Sequence, residues 1–209
     1  VAGTITLLEV QKGNKERVNV YLDGEYAFAV TLTVAAGLKK GQFLSDADIE
    51  QFKQQDERDK AYNHAIFYLG FRARSRTEIE TYLRGKKYSA QLISDTIDRL
   101  SQEGYLNDEE FAQAWIRERE QLKPRSSRAL RYELKQKGVN DSVIEEALAG
   151  LDEDDLAWQA IETKIGQWRR LEEADFKKKA LAFLSRRGFS YDTARQAVKR
   201  AWAKLEIGD

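Results

Sequence analysis

Glu133-Leu134-Lys135-Gln136-Lys137-Gly138-Val139-Asn140 occurs three times in altered form. It is preceded by Tyr82-Leu83-Arg84-Gly85-Lys86-Lys87-Tyr88-Ser89 and followed by Phe183-Leu184-Ser185-Arg186-Arg187-Gly188-Phe189-Ser190. The leucines stand at 83, 134 and 184, intervals of 51 and 50 residues. Self-similarity at such a period marks stacked supersecondary units. The octet itself reads as a helix end. Gly138 and Gly188 suit C′, where the backbone turns left-handed. Val139 and Phe189 are then C″, and Leu134 and Leu184 fall at C3, the position that C″ packs against in a Schellman motif. Asn140 and Ser190 cap the next helix at once. The first copy has Lys87 where the others have glycine, which predicts a strained or differently shaped turn there.

Working outward, Ile93, Ile144 and Ala194 correspond in the helix after each octet, as do Ile97, Leu148 and Val198. Upstream, Ser75-Arg76-Thr77-Glu78 is a capping box for the second helix of the first unit. Gly104-Tyr105-Leu106-Asn107-Asp108-Glu109-Glu110-Phe111 hands one unit to the next. Gly104 suits C′, Asn107 is an N-cap with Glu110 at N3, and Leu106 and Phe111 occupy the staple positions N′ and N4. Each unit therefore reads as three helices, over 57–106, 107–152 and 153–209. The expected fold is mainly α, three tandem three-helix repeats forming a curved rod, since single units of this size bury little.

Residues 1–56 read differently, as a β-meander and a linking helix. Thr4–Val10 is a strand. Val18, Val20 and Leu22 alternate with polar residues, and Tyr26, Phe28 and Val30 alternate on the return. Asp23-Gly24 between them is a type I′ hairpin signal. Strands are expected only up to about residue 31. Ser45 caps the next helix with Asp48 at N3, and Ile49 and Phe52 open its apolar face. The meander is either a structural cap or an edge that pairs with a partner's strand.

Composition narrows the function. The 209 residues hold 35 Lys+Arg against 35 Asp+Glu, one histidine and no cysteine. That removes disulfides, thiolate metal sites and a cysteine nucleophile. No apolar run is long enough to span a membrane and no signal-peptide pattern opens the sequence, so a cytoplasmic protein is expected. His64 lies in a helical run, the acids of Asp152-Glu153-Asp154-Asp155 suit a helix N-terminus, and no glycine-rich phosphate loop is present. The chain is therefore expected to be no enzyme and to carry no cofactor or metal.

The zero net charge hides segregation. Residues 117–137 carry eight Lys/Arg against three Glu, whereas 141–155 hold seven acids and no Lys or Arg. Arg128, Arg131 and Lys135 share a helical face. Arg72, Arg74 and Arg76 crowd the first unit, and Arg186 and Arg187 recur in the third. Merged across stacked units, such faces would form a basic stripe able to meet DNA phosphates or acidic protein surfaces. Tyr82, Tyr88, Tyr132 and Phe189 are expected to be packing residues. A DNA-reading helix-turn-helix would want Asn, Gln or Arg to open its recognition helix. The helices after the octets open on Ala90-Gln91, Asp141-Ser142 and Tyr191-Asp192, which argues against it.

The stretch Gly104–Arg117, the segment Pro124-Arg125-Ser126 and the ending Lys137-Gly138-Val139 together resemble the regulatory protein RecX family. The likeness covers the three helical units, and the meander looks like the amino-terminal extension some members carry. The resemblance implies a bent array of three-helix repeats. It also implies a monomer that binds the RecA filament in its groove and restrains filament growth, ATPase, strand exchange and coprotease activity, and so a part in DNA repair, recombination and the SOS response. With that partner, the charge pattern makes Arg72, Arg74, Arg76, Lys123, Arg125, Arg128, Arg131, Lys135, Lys137, Arg186 and Arg187 the candidates for contact with RecA or with single- or double-stranded DNA. The competing reading is a helical repeat protein that binds nucleic acid alone.

Overall fold

The computed structural model describes residues 1–207. In chain order the elements are β1 (Gly3–Val10), β2 (Arg17–Leu22), β3 (Glu25–Thr31), α1 (Leu32–Ala35), β4 (Phe43–Leu44), α2 (Asp46–Leu69), α3 (Arg76–Gly85) and α4 (Ala90–Gln102). They continue with α5 (Asp108–Leu122), α6 (Ser127–Gln136), α7 (Asp141–Leu148), α8 (Glu153–Trp168), α9 (Glu173–Arg186) and α10 (Tyr191–Ile207). The fold is mainly helical with a small amino-terminal antiparallel sheet. The chain divides into two compact units, one formed by Val1–Phe71 and Tyr82–Gln102, the other by Arg72–Thr81 and the residues from Glu103 onward.

In the first unit the strands run in the order β3-β2-β1-β4. Asp23 at φ 48° and Gly24 at φ 92° make the left-handed pair that a type I′ turn requires. Ile5, Val18, Val20, Leu22, Phe28 and Val30 point inward and pack with Leu38, Leu44 and Ile49. Phe52 of α2 stacks on Phe28, ring centroids 5.8 Å apart. Two expectations need correction. The sheet has a fourth strand, β4, which pairs Leu44 with Gly3 and Phe43 with Thr4. Two residues are too few to show an alternating pattern. Tyr26 does not join Phe28 and Val30 but is exposed. The β2–β3 register shifts between Val20 and Tyr21, and such a bulge moves a residue out of the inward phase.

Helix α2 runs unbroken from Asp46 to Leu69, so the linking helix and the first helix of the first repeat are one element. Its capping box is complete: Ser45 Oγ accepts from Asp48 N–H, and the Asp48 carboxylate accepts from Ser45 N–H. Ala61 and Ala65, one turn apart, are fully buried, and Leu92, Ile93, Ile97 and Leu100 of α4 are buried too.

The second unit holds two three-helix cores. Phe111, Ala112, Ile116, Leu130, Leu134, Val139, Ile144 and Leu148 close α5–α7. Leu156, Ile161, Trp168, Phe176, Leu184, Phe189 and Val198 are among those closing α8–α10. At the start of α5, Asn107 Oδ1 accepts from Glu109 and Glu110 N–H, and Leu106 and Phe111 are both buried. Glu110 makes no return bond among the described residues.

All three octets form the same Schellman turn. Val139 N–H donates to Leu134 O and Gly138 N–H to Lys135 O; Phe189 donates to Leu184 and Gly188 to Ser185. The first copy matches, with Tyr88 donating to Leu83 and Lys87 to Arg84. Lys87 therefore takes the left-handed geometry itself, at φ 68°, beside 74° for Gly138 and 92° for Gly188.

Candidate functional site

The second unit contains two junctions of one design, which place most of the candidate cations. At the first, Ser75 caps α3 by accepting Glu78 N–H, while the Glu78 carboxylate accepts from Ser75 N–H. The fully buried Ser75 hydroxyl then donates to Lys137 O at the end of α6, 2.6 Å away. Arg76 N–H donates to Asp108 Oδ1, the first residue of α5. At the second junction Ser126 caps α6 through Ala129 N–H, and Ser126 N–H donates to Arg187 O at the end of α9. Ser127 N–H donates to Glu153 Oε1, the first residue of α8. The acids that open α5 and α8 thus hold the first free amide of the preceding repeat's second helix, as the positive end of a helix favours.

Glu78 gathers three cations. Arg72 reaches it at 2.8 and 3.3 Å, Lys137 Nζ lies at 2.9 Å and Arg74 at 4.0 Å. Burial on its own would raise the Glu78 pKa, but the hydrogen bonds from Arg72, Lys137 and Ser75 N–H hold it below the usual carboxylate value. A carboxylate depressed in the folded state stabilises it above the unfolded pKa of about 4.3, and that part is lost as pH falls through the folded value. Glu78→Gln should therefore cost about 1–3 kcal/mol at neutral pH, the range of a charged hydrogen bond. It should also remove part of the fall in thermal midpoint below about pH 4.3. Parallel melts of wild type and variant from neutral to acid pH check this; curves of identical shape would refute it.

The expected stripe of free cations is broken up by carboxylates. Glu133 binds Arg119 Nε and Arg125 Nη1, each at 3.0 Å, and also Trp115 Nε1 at 2.8 Å. The Arg119 guanidinium lies over the Trp115 ring, 4.2 Å from its centroid. Arg131 grips Glu145 with two bonds of 2.6 and 2.7 Å, and Lys135 pairs with Asp141 at 2.9 Å. So Arg125, Arg131 and Lys135 are not free cations beside Arg128: Glu133 takes Arg125, and the acidic segment 141–155 folds back to take Arg131 and Lys135. Lys123, Arg128 and Arg186 are exposed and have no ion pair among the described residues. Arg76 is exposed too. Arg187 Nη1 donates to Pro124 O at 3.0 Å and lies over the Phe183 ring. Burial, and then the neighbouring charge of Arg125, push the Arg187 pKa down.

Of the aromatic residues read as packing, Phe189 is buried, Tyr82 stacks on Tyr68 at 4.1 Å, and Tyr88 Oη lies 2.8 Å from His64 Nδ1. Tyr132 departs from that reading, being 66% exposed. It follows Arg131 on the outer side of α6, away from the buried Leu130 and Leu134. The sequence reading missed Glu78, Glu133 and Glu145 as organisers of the basic residues. Residue spacing within one helix carries no trace of a partner on another.

Family comparisons bear on the whole arrangement. Residues 3–45 match the regulatory protein RecX N-terminal domain, and 61–100, 107–148 and 152–198 match the first, second and third three-helix domains of RecX. The regulatory protein RecX of Bacillus subtilis is 36% identical over 93% of this chain and 75% of its own length. The chain belongs to the RecX family. The RecX of Clostridium botulinum is 33% identical, covering 94% of this chain and 95% of that protein. A crystal structure of regulatory protein RecX aligns at a TM-score of 0.69 and 26% identity over 91% of this chain and 96% of the other. The RecX of Lactobacillus salivarius, at 24% identity and a TM-score of 0.60, shows the same fold over 73% of this chain. The chain is thus a member of a family of regulatory proteins built on helical repeats. No helix among the described residues is long and apolar enough to cross a membrane.

Proposed function

We propose that this chain is a negative modulator of the RecA recombinase. In this reading it binds the RecA–DNA filament through a basic surface of the repeats 57–106, 107–152 and 153–209, and restrains filament growth, ATPase, strand exchange and coprotease activity. It acts as a cytoplasmic monomer without cofactor or chemistry of its own, within DNA repair, recombination and the SOS response. The observation that carries the reading is membership of the RecX family across the sheet and all three repeats. Lys123, Arg128 and Arg186, which have no ion pair among the described residues, support a contact with a negatively charged partner, since pairing them with an external anion breaks no internal ion pair.

The test is co-sedimentation with RecA filaments and with bare single-stranded DNA at matched salt. Pelleting with filaments well beyond that with bare DNA is the expected result, weakening as salt rises because counterions compete at the basic surface. Equal pelleting with both would favour a helical repeat protein that binds nucleic acid alone.

A further inference from the structure

The two junctions differ at one position. The octet register that sets Leu83 against Leu134 also sets Arg74 against Arg125, Ser75 against Ser126 and Glu78 against Ala129. The next octet sets Lys137 against Arg187. The first junction has its anion built in, because Glu78 takes Arg72, Arg74 and Lys137 together. The second keeps the cations and the capping serine but has Ala129 where the glutamate would stand. Ala129 does lie at this turn: a Cβ built on Gly188 would meet the Ala129 Cβ at 2.9 Å and Ser126 Oγ at 2.5 Å.

The consequences for the cations are visible. Arg187 has only the Pro124 carbonyl and the Phe183 ring as partners, and no carboxylate among the described residues. Arg125 turns to Glu133 instead. The remaining acid, Glu153, is held by Ser127 N–H as Asp108 is by Arg76 N–H. A partly buried guanidinium without an anion is costly, and desolvated charges are ordinarily paired.

We propose that the second junction is an oxyanion site, in which a backbone phosphate of single-stranded nucleic acid takes the place that the Glu78 carboxylate occupies at the first. Arg187 supplies the forked donor, and the charge of Arg125, whose Nη1 is held by Glu133, lies close enough to add to it. One phosphodiester carries the same single charge as a carboxylate, so the choice of a nucleic acid rests on the further cations around the junction. Lys123, Arg128 and Arg186, which flank the junction in sequence, are exposed and have no ion pair among the described residues, so they suit a polyanion continuing past the site. This deepens the reading of the basic surface as a filament contact, but it is tested without RecA.

The key variant is Ala129→Glu, which restores the carboxylate of the first junction. Binding of labelled oligothymidylate would be followed by anisotropy over a salt series, with thermal melts alongside. Ala129→Glu should melt no lower than wild type, bind about tenfold more weakly (the factor equal to ~1.4 kcal/mol), and show a salt slope smaller by about 0.7, the value of one lost single-strand phosphate. Arg187→Gln should lose the same slope. Arg187→Lys should keep the slope, because the charge remains, and lose affinity, because the fork is gone. Inorganic pyrophosphate should compete with the oligonucleotide for wild type. Unchanged affinity and slope in a folded Ala129→Glu protein would overturn the proposal. So would unchanged oligothymidylate binding together with loss of RecA-filament pelleting, which would assign the junction to a protein carboxylate. Failure of the wild-type chain to pellet with RecA, with the oligonucleotide results as expected, would overturn the filament reading and leave this site standing.

Discussion

Gly138→Ala is expected to lower the free energy of unfolding by about 2–4 kcal/mol, combining left-handed backbone strain with overpacking. The residue sits at φ 74°, where a Cβ crowds the following carbonyl. A methyl group there would also overlap the Thr77 side chain at the start of α3. The same turn is closed from the other side by Ser75 Oγ on Lys137 O and by Thr77 Oγ1 on Gly138 O. Moving the Thr77 side chain aside would break its bond to Gly138 O. Lys87 supplies the contrast. It holds φ 68° in an equivalent Schellman turn while exposed, so there the backbone cost is present without the collision. Lys87→Gly should therefore be neutral or stabilising by up to about 1 kcal/mol. Urea unfolding of both variants is the measurement. Adding Thr77→Ala to Gly138→Ala should recover part of the loss, since residues in contact are not additive. A loss below about 1 kcal/mol for Gly138→Ala would mean that the junction relaxes around a methyl group and is not a close-packed joint.

That contrast also shows what sequence reading could reach. The three octets, their caps and the hairpin at Asp23-Gly24 were legible because each is a local device, fixed by residues within one turn of one another. The departure at Lys87 was legible as an anomaly but not its reason. Gly138 and Gly188 are each met by the capping segment of the preceding repeat, whereas an added atom at an exposed Lys87 meets water. The short β4 was invisible because two residues show no period. Tyr26 was misplaced because a bulge shifts the phase without changing the composition. In the basic segment, spacing placed Arg128, Arg131 and Lys135 on one helix correctly. It could not show that Glu145 and Asp141 reach back from α7 to take two of the three. One signal was available and unused: aligning Ser75…Glu78 with Ser126…Ala129 through the octet register exposes the missing carboxylate before any coordinates are known.

The other large effect expected is loss of RecA regulation on reversing unpaired cations. Reversing Arg128 and Arg131 together would be the choice from spacing alone, but Arg131→Glu would set a third acid against Glu145 and Asp141 and confound binding with folding. Arg128→Glu with Arg186→Glu avoids this. Both side chains are exposed, neither has an ion-pair partner among the described residues and neither is a capping residue; the glutamate gained in the first turn of α6 and the cation lost from the last turn of α9 act on the helix dipoles in opposite directions. Surface substitutions of that kind change stability by about 0.5 kcal/mol or less, so the melt should be unchanged. On the proposed reading each reversal replaces an attraction to the filament's polyanion with a repulsion, and juxtaposed like charges cost several kcal/mol at an interface. The concentration needed to half-inhibit the DNA-dependent ATPase of RecA should then rise by about tenfold or more, equivalent to at least ~1.4 kcal/mol. The remaining inhibition should depend less steeply on salt, because fewer counterions are displaced. Arg131→Glu alone should lower the melt, separating structural cations from binding ones. Should the double variant inhibit at wild-type concentrations with an unchanged melt, Arg128 and Arg186 are solvated helix residues, and contact with RecA must be sought on the sheet's β3 edge or on the outer faces of α8 and α10.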